Sequence, residues 1–172
     1  MKQCKLPILT VFLGIFILFT TSQTVYAQNA EQLRAKIDAL ESRLAKLHAE
    51  EIQLEIDLGN AEVNLASASA TLDSARYWLS EAEKELTRAK LDLENALNGN
   101  DAAAIEDARF WKVYWESVVV DLTDYLDEVI AEHQEAADHL LSVQQKMSVN
   151  AKNIKSVVRE LNQARDALAA LN

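Results

Sequence analysis

The side chains best placed for chemistry are His48 and Glu51, which stand three residues apart and would share one face of a helix. Imidazole and carboxylate groups at this spacing could hold a metal ion. A metal site needs further ligands, however, and none converges on this pair, because Glu51 occupies an inward position in the pattern described below. We therefore predict no metal site here.

The rest of the sequence carries no catalytic motif. It has no glycine-rich phosphate-binding loop and no HExxH motif, and its one cysteine, Cys4, lies in the amino-terminal segment. The 27 Asp and Glu side chains are expected on a solvated helical face, where no cleft exists to tune them for acid–base work. His133 is expected in a helix interface over Ala68. We predict a protein that is not an enzyme and has neither a catalytic site nor a bound cofactor.

The elements that carry these residues are defined by an apolar repeat. Apolar side chains recur every three or four positions from Leu33 to Ala96, and again from Ile105 to Leu171. A repeat of 3.5 residues sustained over this length is typical of a coiled coil. Since Gly59 lies outside the repeat, helix one is expected to continue through it.

The segment Asn98-Gly99-Asn100-Asp101 has the composition of a tight turn between helices. Gly99 is expected to adopt the left-handed conformation after helix one, and Asn100 or Asp101 to cap helix two. The predicted fold class is all-α: a long antiparallel two-helix coiled-coil hairpin. Helix one covers residues 30–97, the turn residues 98–101 and helix two residues 101–171.

The register of the hairpin also follows from the pattern. Antiparallel pairing about this turn makes the numbers of facing residues sum to 201, which sets Leu40 opposite Leu161. It also sets Glu51, the one charged residue in the first repeat, opposite Asn150, a polar residue of the second. We predict that this pair fixes the register, because a slip would bury each polar group without a partner at a cost of roughly 1–3 kcal/mol.

Helix one carries a second apolar stripe on its back, in which Ile52, Ile56 and Val63 are the large members. A two-helix hairpin has a thin core and would leave these side chains in water, so the stripe indicates a partner surface. We expect self-association through this face into a four-helix or larger bundle. The alternative is that these are ordinary surface residues, since much of the stripe is alanine.

Aromatic residues concentrate on helix two at Phe110, Trp111 and Tyr114. Phe110 and Tyr114 occupy positions that helix one does not reach, and Tyr and Trp are favoured anchors of protein interfaces. We interpret this cluster as a contact with another chain. A contact inside an oligomer of the same protein is the alternative.

The first 27 residues have the features of a signal peptide. Lys2 and Lys5 precede an apolar stretch over residues 6–19, and Val25-Tyr26-Ala27 places small residues at the positions that a signal peptidase requires. Cleavage after Ala27 would leave residues 28–172, without cysteine, as the mature hairpin. The alternative is an uncleaved anchor, because residues 6–25 are roughly long enough to cross a bilayer.

The net charge of −10 becomes −12 without Lys2 and Lys5. An acidic surface without basic clusters argues against nucleic acid or anionic lipid as a partner. We therefore expect an exported, periplasmic or secreted protein that binds an unidentified protein and acts as a spacer, a scaffold or a chaperone-like binder, with no membrane contact after cleavage.

Two other functions are compatible with a helical hairpin. A membrane-acting toxin or pore former would need a mobile apolar segment, and the best available, Val118-Val119-Val120, is too short to span a membrane. A membrane-anchored stalk would need the amino-terminal segment to be retained.

Overall fold

The computed structural model describes the backbone of residues 7–171 and the side chains of residues 27–171. This part of the chain consists of two α-helices, α1 over Pro7–Gly99 and α2 over Ala102–Ala169. The helices pack against each other without any strand among the residues described, which confirms the all-α helical hairpin. The predicted signal peptide, residues 1–27, lies outside the described side chains except for Ala27.

The helix boundaries differ somewhat from the predicted ones. Helix α1 begins at Pro7 rather than at residue 30, ends at Gly99 and passes through Gly59 without a break, as predicted. Helix α2 lies within its predicted bounds. Gly59 has no neighbouring atom within 4 Å of an added Cβ, so no close approach of another segment requires a glycine there.

The hairpin divides into two compact units. The first, called the terminal unit below, contains the described residues up to Gln53 together with those from Met147 onward. The second, called the turn unit, contains Leu54–Lys146.

The core of the terminal unit is a cluster of apolar side chains from both helices. Leu40 of α1 packs with Val157, Leu161 and Ala164 of α2. Val157 is fully buried, and Leu40 and Leu161 share the cluster that the predicted register assigns to them. Fully burying side chains of this size contributes about 1.5–3 kcal/mol each.

The turn unit has its own core, formed by Leu72 and Ala75 of α1 with Leu126 and Val129 of α2. Leu72 with Val129, and Ala75 with Leu126, are pairs that the predicted register sets opposite each other. All other positions of the two apolar repeats are also buried or half-buried, including Glu51 and His133. The pairing of the helices is therefore the predicted one within each unit.

The turn is built differently from the prediction. Asn100, not Gly99, adopts the left-handed conformation, with φ of 52°. Gly99 is still helical, and the N–H of Asn100 donates to the carbonyl oxygen of Leu97 at 3.4 Å. Asparagine tolerates the left-handed region better than most residues with a side chain, so it can end the helix without glycine.

Asp101 caps the second helix, as predicted. Its Oδ1 accepts hydrogen bonds from the N–H groups of Ala103 at 3.0 Å and Ala104 at 3.4 Å. These are two of the N–H groups that the first turn of a helix leaves without a main-chain partner. The chain therefore reverses within two residues, 100 and 101, that lie between the helices.

Candidate interaction surface

The residues of the predicted register pair, Glu51 and Asn150, both lie in the terminal unit, and each has its own partner. Asn150 is buried, and its Nδ2 donates to the main-chain carbonyl oxygen of Leu47 at 2.9 Å. Its Oδ1 is buried without a hydrogen-bond partner. Glu51 instead contacts His48, with 3.1 Å between Oε2 and Nδ1, and its side chain is 43% exposed. Asn150 thus bonds across the helix interface to the main chain of α1, and not to the Glu51 side chain that the register sets opposite it.

His48 and Glu51 do meet on one helical face, but both side chains are about half exposed. Among the described residues, no group of three His, Cys, Asp or Glu side chains is placed to hold a metal ion. Over residues 27–171 no helical stretch is both long and apolar enough to cross a membrane.

The large residues of the predicted stripe on the back of α1 lie on the surface of the single chain. Ile52 in the terminal unit is 61% exposed, and Ile56 and Val63 in the turn unit are 53% and 68% exposed. Residues of this size are buried in most proteins. Their exposure leaves an apolar surface open to contact.

The predicted aromatic cluster forms a continuous row of rings on α2, called the aromatic ladder below. Neighbouring rings meet edge to face, with centroids 5.2–5.7 Å apart, in the order Phe110, Trp111, Tyr114 and Trp115. Trp115 is half-buried, whereas the other three are 46–60% exposed. Edge-to-face contacts favour this arrangement of the rings, so the ladder forms an exposed apolar surface on α2.

An open groove of about 520 Å³ lies beside the ladder in the turn unit, with Trp111 and Trp115 in its lining. Alanines of both helices form much of the remaining lining, and their small side chains leave the space open. The other lining residues are Glu85, Arg88, Ala89, Asp92, Ala96, Ala104, Asp107 and Ala108.

The groove has an excess of negative charge. Arg88 pairs with Glu85, with 3.2 Å between Nη1 and Oε1. Asp92 and Asp107, one from each helix, have no hydrogen-bond or ion-pair partner in the part of the chain that the structure describes. The groove therefore combines indole rings with two uncompensated carboxylates.

Helix α2 continues from the ladder into a strongly acidic segment. No Lys or Arg occurs from residue 113 to residue 145. Six exposed carboxylates of this segment define what we call the acidic face: Asp121, Asp124, Glu128, Glu132, Glu135 and Asp138. Asp121, Glu128 and Glu135 follow Tyr114 at intervals of seven residues, and Asp124 and Asp138 follow Phe110 at multiples of seven. The ladder and the acidic face thus share one side of α2.

Three of the four cations of α1 in the turn unit, all except Lys90, are engaged within their own helix. Each pairs with an acidic residue three positions earlier: Arg76 with Asp73 at 3.9 Å, Lys84 with Glu81 at 2.6 Å, and Arg88 with Glu85 at 3.2 Å. The hydrogen bond that Lys84 donates to Glu81, together with the coulombic attraction of this carboxylate, raises the pKa of Lys84 above its ordinary value. Among the described residues, no ion pair joins a cation of α1 to the acidic face of α2.

The charge of the chain is divided unevenly between the two units. Residues 54–146 contain 20 Asp and Glu and 7 Lys and Arg, so the turn unit has a charge of 7 − 20 = −13. The rest of the sequence contains the remaining 10 basic and 7 acidic residues, a charge of +3. The acidity that the composition reports for the whole chain therefore belongs to the turn unit.

Comparison with known protein families, with curated proteins and with solved structures finds no match to this chain. Sequence reasoning located the aromatic residues and the exposed stripe of α1. It missed the acidic face, for which the available signal is the absence of Lys and Arg over residues 113–145. It also missed the groove, which depends on how alanines of two helices meet.

Proposed function

We propose that this chain is a non-enzymatic, exported protein that acts by contact with other proteins, as a spacer, a scaffold or a chaperone-like binder in a cell envelope or outside the cell. The observation that carries the proposal is the set of large apolar side chains left exposed on both helices, away from the interface that joins them. Large exposed apolar patches are typical of protein interaction sites.

The back of α1 is the surface through which we propose self-association. Ile52, Ile56 and Val63 are its exposed anchors, and the stripe they belong to contains no charged residue. Burying apolar surface stabilises an interface by about 25 cal/mol per Å². Two negatively charged copies repel each other least through an uncharged face, so this face suits a second copy better than the outer side of α2 does.

Sedimentation of residues 28–172 at micromolar concentrations tests this assembly. We expect an oligomer, and we expect the double variant Ile56→Glu, Val63→Glu to raise its dissociation constant at least about tenfold by placing two charges in the interface. The matched control is Leu141→Glu, Val149→Glu, which changes two exposed apolar residues of α2 and should leave the oligomer intact. A wild-type chain that stays monomeric at about 100 μM would refute self-association.

The mass of the protein recovered from its own cells tests export. A product that begins at Gln28 supports cleavage and release. A product that retains residues 1–27 and stays with the membrane fraction would instead support the anchored stalk.

A further inference from the structure

Two features on one side of α2 have no role in holding the hairpin together. The aromatic ladder exposes three of its four rings, and the acidic face exposes six carboxylates along about five turns of the same helix. Both lie in the turn unit, so their relative placement follows from a single continuous helix.

The acidic face is unfavourable for the isolated helix. Its members follow one another at intervals of three or four residues, from Asp121 through Asp124, Glu128, Glu132 and Glu135 to Asp138. Like charges at these intervals repel and destabilise a helix. Among the described residues, only Asp138 of this set has a hydrogen-bond partner, Nε2 of Gln134 at 3.0 Å. An outside cation would relieve this repulsion.

The groove beside the ladder offers a complementary contact at the other end. Trp111 and Trp115 provide apolar walls, and Asp92 and Asp107 are uncompensated. The apolar walls suit an apolar side chain of a partner. The carboxylates and the indole faces suit basic groups beside it, because cations bind both to carboxylates and to the faces of aromatic rings. The turn unit of a second copy does not fit, since it would bring the same charge of −13.

We propose that this side of α2 docks a cationic amphipathic segment of a different protein. An apolar side chain of the segment enters the groove beside Trp111, and its Lys and Arg side chains run along the acidic face. The inference rests on the proposed function, a protein that acts by contact, and it names the chemical class of the partner.

The experiment measures fluorescence anisotropy of a labelled helical peptide mixed with residues 28–172. The probe is a synthetic peptide of about 24 residues, with leucines and a phenylalanine at one end and lysines at every third or fourth position after it. We expect micromolar binding at low ionic strength that weakens as salt is added, because the contacts are largely between exposed charges.

Two pairs of variants locate the site. The acidic-face variant, Asp121→Asn, Asp124→Asn, Glu128→Gln, should weaken binding about tenfold or more. Its control removes the same three charges from exposed positions of α1 in the same unit: Glu55→Gln, Glu62→Gln and Glu83→Gln. The control should change affinity less than about twofold.

The second pair tests the contribution of the indole ring. Trp111→Ala should weaken binding about tenfold, whereas replacing an exposed indole of α1, in Trp78→Ala, should leave the affinity unchanged.

Equal losses in the acidic-face variant and its control would overturn the proposal, since they would show attraction to net charge alone. Equal affinity for a lysine peptide that lacks the apolar end, or no binding at about 100 μM, would also overturn it. Sedimentation keeps the two proposals separate: an oligomer that ignores the peptide refutes the docking site alone, and a monomer that binds the peptide at the acidic face refutes self-association alone. Circular dichroism at 222 nm confirms that each variant is folded.

Discussion

Asn150 lies buried in the helix interface with its Nδ2 bonded to the carbonyl oxygen of Leu47 and its Oδ1 without a partner. The bond contributes about 1 kcal/mol, whereas an unsatisfied buried oxygen costs about 1–3 kcal/mol. The side chain thus weakens the hairpin or leaves its stability unchanged. A polar residue at such a position serves to specify one register among the several that a repeat of apolar residues allows.

We expect Asn150→Leu to raise the free energy of unfolding by about 1 kcal/mol, because it removes the unsatisfied oxygen and buries more apolar surface. Urea denaturation followed by circular dichroism measures the change. The control is Asn153→Leu, at an exposed position three residues later, which should alter stability by less than about 0.5 kcal/mol. A less stable Asn150→Leu chain would show that the bond to Leu47 outweighs the unpaired oxygen.

The residue scale is where sequence reasoning was least accurate. The register placed Glu51 and Asn150 at the same level of the helix interface, and the half-burial of Glu51 and full burial of Asn150 agree with that. It could not show that the short amide reaches a main-chain oxygen one turn earlier, at Leu47, while the longer Glu51 side chain turns toward His48. Every residue has a main-chain carbonyl oxygen, so the sequence of side chains does not indicate which of these oxygens accepts the bond from Asn150.

At the scale of the elements, the residue that ends α1 in the left-handed conformation is Asn100, and not Gly99 as predicted. Gly99 is helical, with nothing within 4 Å of an added Cβ, and the left-handed residue is Asn100. Both residue types can adopt that conformation, so the tetrapeptide alone could not decide between them.

Substitutions at these two positions should have opposite effects. We expect Gly99→Ala to raise the free energy of unfolding by about 0.5–1 kcal/mol, since alanine favours the helix that Gly99 belongs to. Asn100→Ala should lower it by about 1 kcal/mol, because alanine is strained in the left-handed region. Thermal melts of the two variants decide the matter. The reverse pattern would restore Gly99 as the residue that ends α1.

The helices and their pairing were predictable because one physical constraint acts along the whole chain. A side chain at each third or fourth position must face the partner helix, and few glycines interrupt either helix. The facing pairs Leu72 with Val129 and Ala75 with Leu126 follow from the position of the turn alone. The groove beside Trp111 was not predictable, because its volume depends on alanines of both helices at several successive levels.

At the scale of the whole molecule, the unequal charge of the two units is the main electrostatic feature. The turn unit has a charge of −13 and the rest of the sequence +3. Within α2, the acidic face adds like-charge neighbours at three- and four-residue intervals, each of which destabilises a helix by roughly 0.2–0.5 kcal/mol.

We therefore expect salt to stabilise this protein. Raising NaCl from about 10 mM to about 0.5 M should increase the melting temperature by roughly 5 °C, because the Debye length shortens to less than the spacing between carboxylates. The acidic-face variant should melt higher than the wild type at low salt and gain less from added salt. A melting temperature that falls with salt would mean that the pairs such as Lys84 with Glu81 outweigh the repulsion.

The lack of lysine and arginine over residues 113–145 has a practical consequence for anyone who maps this surface. Trypsin cuts only after basic residues, so it releases the stretch from Val113 to Lys146 as a single long fragment, whether the protein is folded or not. Protection from trypsin therefore reports nothing about a bound peptide there. A protease that cuts after glutamate finds Glu128, Glu132 and Glu135 on the surface in question, and occupancy of the site becomes visible as slowed cleavage at those bonds.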